Sequence, residues 1–138
     1  MPYVKRGFIL DASALLAVML NEPGHEHVRT RLHDASIHTV NVAEVVHKLA
    51  REGLSPMEVQ QMIGDLGLDT YQDLSIEQAT EVGGLLARTR KQGYSLGDCV
   101  CLVIGMWMGS IAVTADRKWK ELDGNVTERG TFRVEVIR

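Results

Sequence analysis

Four carboxylates in this chain sit where a strand gives way to a helix or where a helix opens. Phe8-Ile9-Leu10 runs into Asp11, and the helix-prone Ala12-Ser13-Ala14-Leu15-Leu16-Ala17 follows at once. Asn41-Val42-Ala43-Glu44 leads into Val45, Val46 and Leu49 at helical spacing. Ser95-Leu96-Gly97-Asp98 opens an almost wholly apolar stretch, and Ser110-Ile111-Ala112-Val113-Thr114 ends in Ala115-Asp116. Each acid alone has an ordinary structural explanation. An aspartate between strand and helix caps the helix. Glu44 lies three residues after Asn41, and Asp98 three after Ser95, which is capping-box spacing. Together the four say more. In a parallel sheet with right-handed crossovers, all these positions fall on the edge formed by the strands' carboxyl ends, where α/β proteins bind ligands. Like charges gathered there raise one another's pKa and weaken the fold, and a divalent cation removes that penalty. Hard oxygens without a cysteine or a histidine pair nearby select Mg2+, with Mn2+ as a substitute. Such an ion with open water positions suits phosphodiester hydrolysis. Ser13 and Thr114, each two residues from one of these acids, are placed to hydrogen-bond a carboxylate or to act as local turn hydroxyls.

The elements that must position these acids can be read from periodicity and punctuation. A helix over 12–20 ends at the Asn21-Glu22-Pro23-Gly24 turn. A second short helix is expected over 25–33; it carries His25, His27 and His33, which do not share one face and so read as solvated rather than metal-binding. Residues 36–40 read as a strand, with Asn41 as the cap of the next helix. Ser55-Pro56-Met57-Glu58 starts another helix, and 67–71 reads as a short, weak strand. Ser75 caps a long helix to about Lys91, weakened by Gly83-Gly84 and stopped by Gly93. Its last turn carries Arg88, Arg90 and Lys91, cations that suit a helix C-terminus and that would equally suit an RNA backbone. The helix after Ser95 is apolar on nearly every side and ends at Gly109, so it belongs in the interior. A strand over 110–114 follows, and 132–137 alternates like an edge strand with one wet face. The expected fold class is α/β, with a mostly parallel central sheet of four to five strands flanked by helices.

Size and charge set outer bounds. The chain has 138 residues, the length of one domain, with 45% apolar and 24% charged residues. Fifteen basic against 18 acidic residues give a net charge of −3, which excludes nucleic-acid binding by bulk charge alone. Setting four acids aside for a cation would leave one net positive charge, so an anionic substrate is not excluded. Cys99 and Cys101 have neither zinc-site nor disulfide-framework spacing and read as buried thiols in a reducing compartment. Asp11 interrupts the apolar N-terminal run, which argues against a signal peptide, and 99–113 is too short to span a bilayer. A soluble, cytoplasmic protein with no membrane association is expected.

Taken in order, Leu10-Asp11-Ala12-Ser13-Ala14-Leu15-Leu16, Asn41-Val42-Ala43-Glu44-Val45, Ser95-Leu96-Gly97-Asp98 and Thr114-Ala115-Asp116-Arg117 resemble the four acidic motifs of PIN-domain ribonucleases. The nearest likeness is to the VapC-type toxins of bacterial toxin–antitoxin pairs. The resemblance spans essentially the whole chain, implying a single PIN domain over 1–138 with a three-layer α/β/α architecture. It implies a Mg2+-dependent endoribonuclease in which Asp11, Glu44, Asp98 and Asp116 hold the metal and carry catalysis, Asp116 with the weakest claim to direct contact. It also implies a homodimer, a VapB-type antitoxin partner, toxin–antitoxin hetero-oligomers and an RNA substrate. Arg117, Arg88 and Arg90 are the candidates for contact with that substrate. Rival readings are a receiver-like signalling module, a haloacid-dehalogenase-type phosphatase, and an RNA-binding module that holds metal without cutting. A receiver would need an acidic pair after the first strand and a lysine at the end of the last. The phosphatase would need an aspartate where Ser13 stands.

Overall fold

The computed structural model describes residues 5–138. Its core is a parallel five-stranded sheet in the order β3-β2-β1-β4-β7, built from β1 (Phe8–Leu10), β2 (Ala35–His38), β3 (Asp69–Tyr71), β4 (Ile111–Thr114) and β7 (Val134–Val136). The α/β expectation is met, and every pairing in this sheet is parallel. The remaining strands, β5 (Val126–Thr127) and β6 (Gly130–Thr131), form a small antiparallel hairpin that the sequence pattern did not suggest. Among the described residues, no helix is long and apolar enough to cross a membrane.

Helices cover both faces, because consecutive residues on a strand point to opposite sides. Leu10, Ile37 and Val113 pack with residues of α1 (Ala12–Leu20), α2 (His25–Arg29), α3 (Thr39–Arg51) and α4 (Pro56–Asp65). Ile9 and Ala112 pack on the other side with α5 (Ile76–Thr89) and α6 (Leu96–Met108). The Val100-to-Ile104 run of α6 is buried all round, as its composition requires. Gly109 closes α6 in a left-handed conformation at φ 66°.

Topology decides where a ligand can sit. From β1 the chain adds β2 and β3 on one side, then crosses back to place β4 on the other side of β1. The strand order therefore reverses between β1 and β4, and the crevice of a doubly wound sheet lies at the carboxyl end of that reversal. Leu10 pairs with Val113 in the ladder, so the next residues, Asp11 and Thr114, face each other there.

Four boundaries differ from expectation. The β2 strand stops at His38 and α3 begins at Thr39, with the His38 ring nitrogen accepting from the Val40 amide at 3.1 Å. Asn41 is thus not the cap of this helix; it lies inside the first turns and is fully buried. The helix expected over 25–33 ends at Arg29, and His33 falls in a short 3-10 turn over Leu32–Asp34. The long helix after Ser75 ends at Thr89, and Arg90–Gln92 continue it as 3-10 before the left-handed Gly93. The last strand forms only over Val134–Val136, because Phe132 turns into the core and pairs its backbone with Asn125.

Candidate active site

Asp11 is the best determined of the four acids. It ends β1, caps α1 through the Ala14 amide at 2.8 Å, and is only 3% exposed. Thr114 Oγ1 donates to Asp11 Oδ2 at 2.6 Å, and Ser13 Oγ lies 2.7 and 2.9 Å from the two carboxylate oxygens. Ser13 in turn accepts from the Ala115 amide at 2.9 Å, and Thr114 from the Asp116 amide at 3.0 Å. The two hydroxyls therefore bond both Asp11 and the backbone of the turn that carries Asp116. These partners are neutral. Burial pushes the Asp11 carboxyl up to about 6, against hydrogen bonds from Thr114, Ala14 and Ser13, and the nearby Asp98 charge adds to the rise.

Glu44 projects from α3 and is half-buried. Asn41 Nδ2 donates both to Glu44 Oε1 at 2.9 Å and to the Gly97 carbonyl at 3.0 Å, tying α3 to the first turn of α6. Gly97 is the reason this approach is possible: a Cβ there would collide with the Glu44 carboxylate. Burial raises the Glu44 pKa, opposed by the Asn41 bond and reinforced by Asp98. Asn41 Oδ1 is itself buried with no hydrogen-bond partner among the described residues.

Asp98 sits in the capping box expected from sequence, with Asp98 Oδ2 accepting from the Ser95 amide at 2.9 Å and Ser95 Oγ from the Asp98 amide at 3.1 Å. Burial raises its pKa; hydrogen bonds from Ser95 and the Lys118 charge pull it down, and Asp116 pushes it up. Capping and proximity to the other acids are therefore compatible at Asp98, as they are at Asp11.

Asp116 caps the 3-10 turn over Arg117–Leu122, taking the Lys118 amide on Oδ1 at 3.1 Å. The side chain of the same lysine reaches back, with Nζ 2.8 Å from Asp116 Oδ2 and 3.2 Å from the Gly93 carbonyl. No sequence signal pointed to Lys118. Arg117 is exposed and donates to the Arg138 carbonyl at 2.9 Å. Arg88 is exposed along a groove it shares with Thr127 and Phe132, between α5 and the β5–β6 hairpin, and Arg90 is exposed on the 3-10 turn that follows α5.

The four acids thus share one end of the sheet and one electrostatic neighbourhood, Asp98 acting on both Asp11 and Glu44, and Asp116 on Asp98. They do not form a closed cage: among the described residues, no three acidic, histidine or cysteine side chains are gathered as a metal cluster. The donor chemistry nevertheless fits a hard divalent cation. The donors are carboxylate oxygens, most raised in pKa by burial and by each other, and Gly97 leaves the cradle that the Glu44 carboxylate fills.

The family profile of the PIN domain matches residues 8–125. The chain belongs to the PIN domain family. PIN domains are generally nucleases. Solved structures with the same fold include the DNA-bound VapBC complex of Salmonella typhimurium, 18% identical with a TM-score of 0.69, covering 96% of this chain and 99% of that one. VapBC2 of Rickettsia felis, bound to a promoter DNA fragment, is 12% identical with a TM-score of 0.67 over 94% of this chain and 97% of that one. VapBC-1 of nontypeable Haemophilus influenzae is 17% identical with a TM-score of 0.61 over 83% of this chain and 90% of that one. At such identities the likeness establishes the fold. A search of curated proteins finds no match.

Two residues of this PIN domain escaped sequence reasoning although they hold its acids. Asn41 lay in the Asn-x-x-Glu stretch, but the motif reads as a capping box rather than as a side-chain clamp on Glu44. Lys118 lay two residues beyond Asp116, a spacing that suggests no contact in a regular helix and permits one only in this tight turn.

Proposed function

We propose that this PIN domain is the toxin of a VapC-type toxin–antitoxin pair, an endoribonuclease that depends on Mg2+ bound at its acidic tetrad, with Mn2+ able to replace it. The observation that carries the reading is Asp11: a carboxylate buried at the switch point of the sheet, raised to about 6, and bonded only by neutral donors. A structural aspartate in that position would be expected to find an arginine or lysine, because an unpaired buried charge is expensive. One that serves a cation is kept without such a partner.

Asp11, Glu44 and Asp98 would hold the metal, with Asp116 beside them at the same end of the sheet. A bound Mg2+ supplies Lewis acidity for a water nucleophile and neutralises charge on the phosphoryl oxygens. The protein's own work is orientation. Thr114 and Ser13 fix both oxygens of Asp11, Asn41 fixes Glu44, and the Ser95 box fixes Asp98, so little side-chain freedom remains to be lost when substrate arrives. Arg117, Arg88 and Arg90 are exposed and stand as candidates for the RNA backbone.

Three solved structures of the same fold are VapBC assemblies, which supports a VapB-type antitoxin as partner and a toxin–antitoxin hetero-oligomer as the resting form. Exposed Met57, Ile76, Leu96 and Val126 supply apolar surface for antitoxin contact or for a homodimer. A cytoplasmic location follows from this role. The test is cleavage of total RNA by purified, antitoxin-free protein: activity should vanish in EDTA and return with Mg2+ or Mn2+, and cleavage that persists in EDTA would overturn the mechanism.

A further inference from the structure

Lys118 is held more firmly than a solvated lysine has reason to be. Its amide donates to Asp116 Oδ1 at 3.1 Å, and its ammonium lies 2.8 Å from Asp116 Oδ2. Its carbonyl accepts from the Tyr94 hydroxyl at 3.0 Å, and its Nζ stands 5.2 Å from the centre of the Tyr94 ring while donating to the Gly93 carbonyl at 3.2 Å. The next residue, Trp119, is fully buried and stacks on Tyr94, so the backbone under Lys118 is anchored as well. A cation is thus fixed at the acidic end of the sheet from both its main chain and its side chain.

The consequence falls on Asp116. Both of its oxygens are taken by Lys118, one by the amide and one by the ammonium. The other members differ. Asp98 Oδ1 and Glu44 Oε2 have no protein donor among the described residues. The Asp11 oxygens meet only hydroxyls and an amide, none of which carries a charge. The Lys118 charge also reaches Asp98, where it opposes the effect of burial.

We propose that Lys118 is a built-in cation of this site, which holds Asp116 back from the metal and leaves Asp11, Glu44 and Asp98 to grip a single divalent ion. The inference rests on the reading of these acids as a metal centre. Lys118 is a positioning residue here: it acts through Asp116 and through its own charge. With the ammonium in place, the local charge that attracts a second divalent ion is reduced by one unit, and Asp116 can reach a metal only by giving up a short ion pair.

Mn2+ binding to the full chain, followed by calorimetry without RNA, tests this apart from cleavage. The wild-type protein should bind one ion. Lys118→Met keeps the aliphatic stem over Tyr94 and removes the charge; it should bind Mn2+ about tenfold more tightly. Lys118→Arg keeps the charge and should stay near wild type. Asp116→Asn should change affinity little in the wild-type background, yet abolish the gain in Lys118→Met. Lysine's structural contacts alone would lower the melting temperature of Lys118→Met without tightening Mn2+ binding. Unchanged or weaker binding by Lys118→Met overturns the proposal, as does a loss of binding in Asp116→Asn as large as that in Asp11→Asn. If Lys118→Met does not fold, that second comparison decides alone. If no variant binds Mn2+, and the wild type does not either, the metal reading of the tetrad falls and this inference with it; wild-type binding that ignores Lys118 defeats only the inference.

Discussion

Asp11 and Glu135 are both carboxylates of the central sheet, two strands apart, and they are treated in opposite ways. Glu135 on β7 receives Arg31 Nε at 3.1 Å, the second Arg31 nitrogen at 3.2 Å and His27 Nε2 at 2.7 Å. Burial pulls its pKa upward, but the hydrogen bonds and positive charge of Arg31 and His27 outweigh it and leave the group below its ordinary value. Asp11 at the end of β1 is more deeply buried and receives only hydroxyls and an amide, so burial wins and its pKa stands at about 6. Glu135 is a finished ion pair that ties α2 and the turn after it to the edge strand. Asp11 is half of one. The difference separates an acid that stabilises a fold from an acid kept for a ligand.

The contrast breaks most visibly if the two carboxylates are neutralised in turn. Asp11→Asn should reduce Mg2+-dependent RNA cleavage by more than the roughly 100-fold that losing an outer-shell partner of a metal site can cost. Its far-UV circular dichroism should stay that of the wild type, since an asparagine still caps α1. Cleavage at the wild-type rate would remove Asp11 from the site. Glu135→Gln should leave cleavage unchanged.

Next in size is an opposite dependence on pH. The folded-state pKa of Asp11, about 6, lies above the ordinary 3.8, so between those values the folded protein holds a proton that the unfolded chain has released. The stability contributed by this proton is complete below about pH 4 and is lost as pH rises towards 6, by up to about 3 kcal/mol in metal-free protein. Glu135 works the other way: its contribution is present above its ordinary 4.5 and is lost on acidification through its depressed pKa. Chemical denaturation in EDTA at pH 5 and pH 7 should show Asp11→Asn gaining stability over wild type on going to pH 7. An Asp11→Asn protein that gains nothing there would mean that the carboxylate is not raised.

Thr114→Val tests whether the hydroxyl matters to Asp11 as Arg31 matters to Glu135. It removes the 2.6 Å bond from a fully buried neighbour with little change of shape. Metal affinity or cleavage should fall by about 10- to 100-fold. Retained affinity would show that Ser13 and the Ala14 amide suffice. The smallest effect is expected at Glu135→Gln itself. Its partners are 30% and 40% exposed, so the loss of stability should be about 1 kcal/mol, read from a shift in denaturation midpoint with no change in Mg2+ dependence.

Much of this was legible along the chain because it rests on neighbours. Three apolar residues before an acid, a capping box at Ser95 and Asp98, and an apolar segment closed by Gly109 are local statements about hydrogen bonds and burial within a few residues. They placed β1, α6 and β4, and with them Asp11, Asp98 and Asp116, at strand or helix ends. The start of α3 departs from the expected position for a reason of the same kind. Histidine is an uncommon cap, so Asn41 took the part that His38 plays, and the clamp Asn41 makes on Glu44 went unseen.

What the sequence determined by itself is the alternation of elements and the positions of the four acids within them, since strand periodicity, capping and helix termination are settled by short-range chemistry. The tertiary structure alone decided which groups meet. The Asp11–Thr114 bond spans 103 residues and exists because the chain crosses back to set β4 beside β1 in a register that pairs Leu10 with Val113. Gly97 makes room for Glu44 and Arg31 finds Glu135 for the same reason: contact between distant elements follows from topology and register, which no local pattern of residues carries.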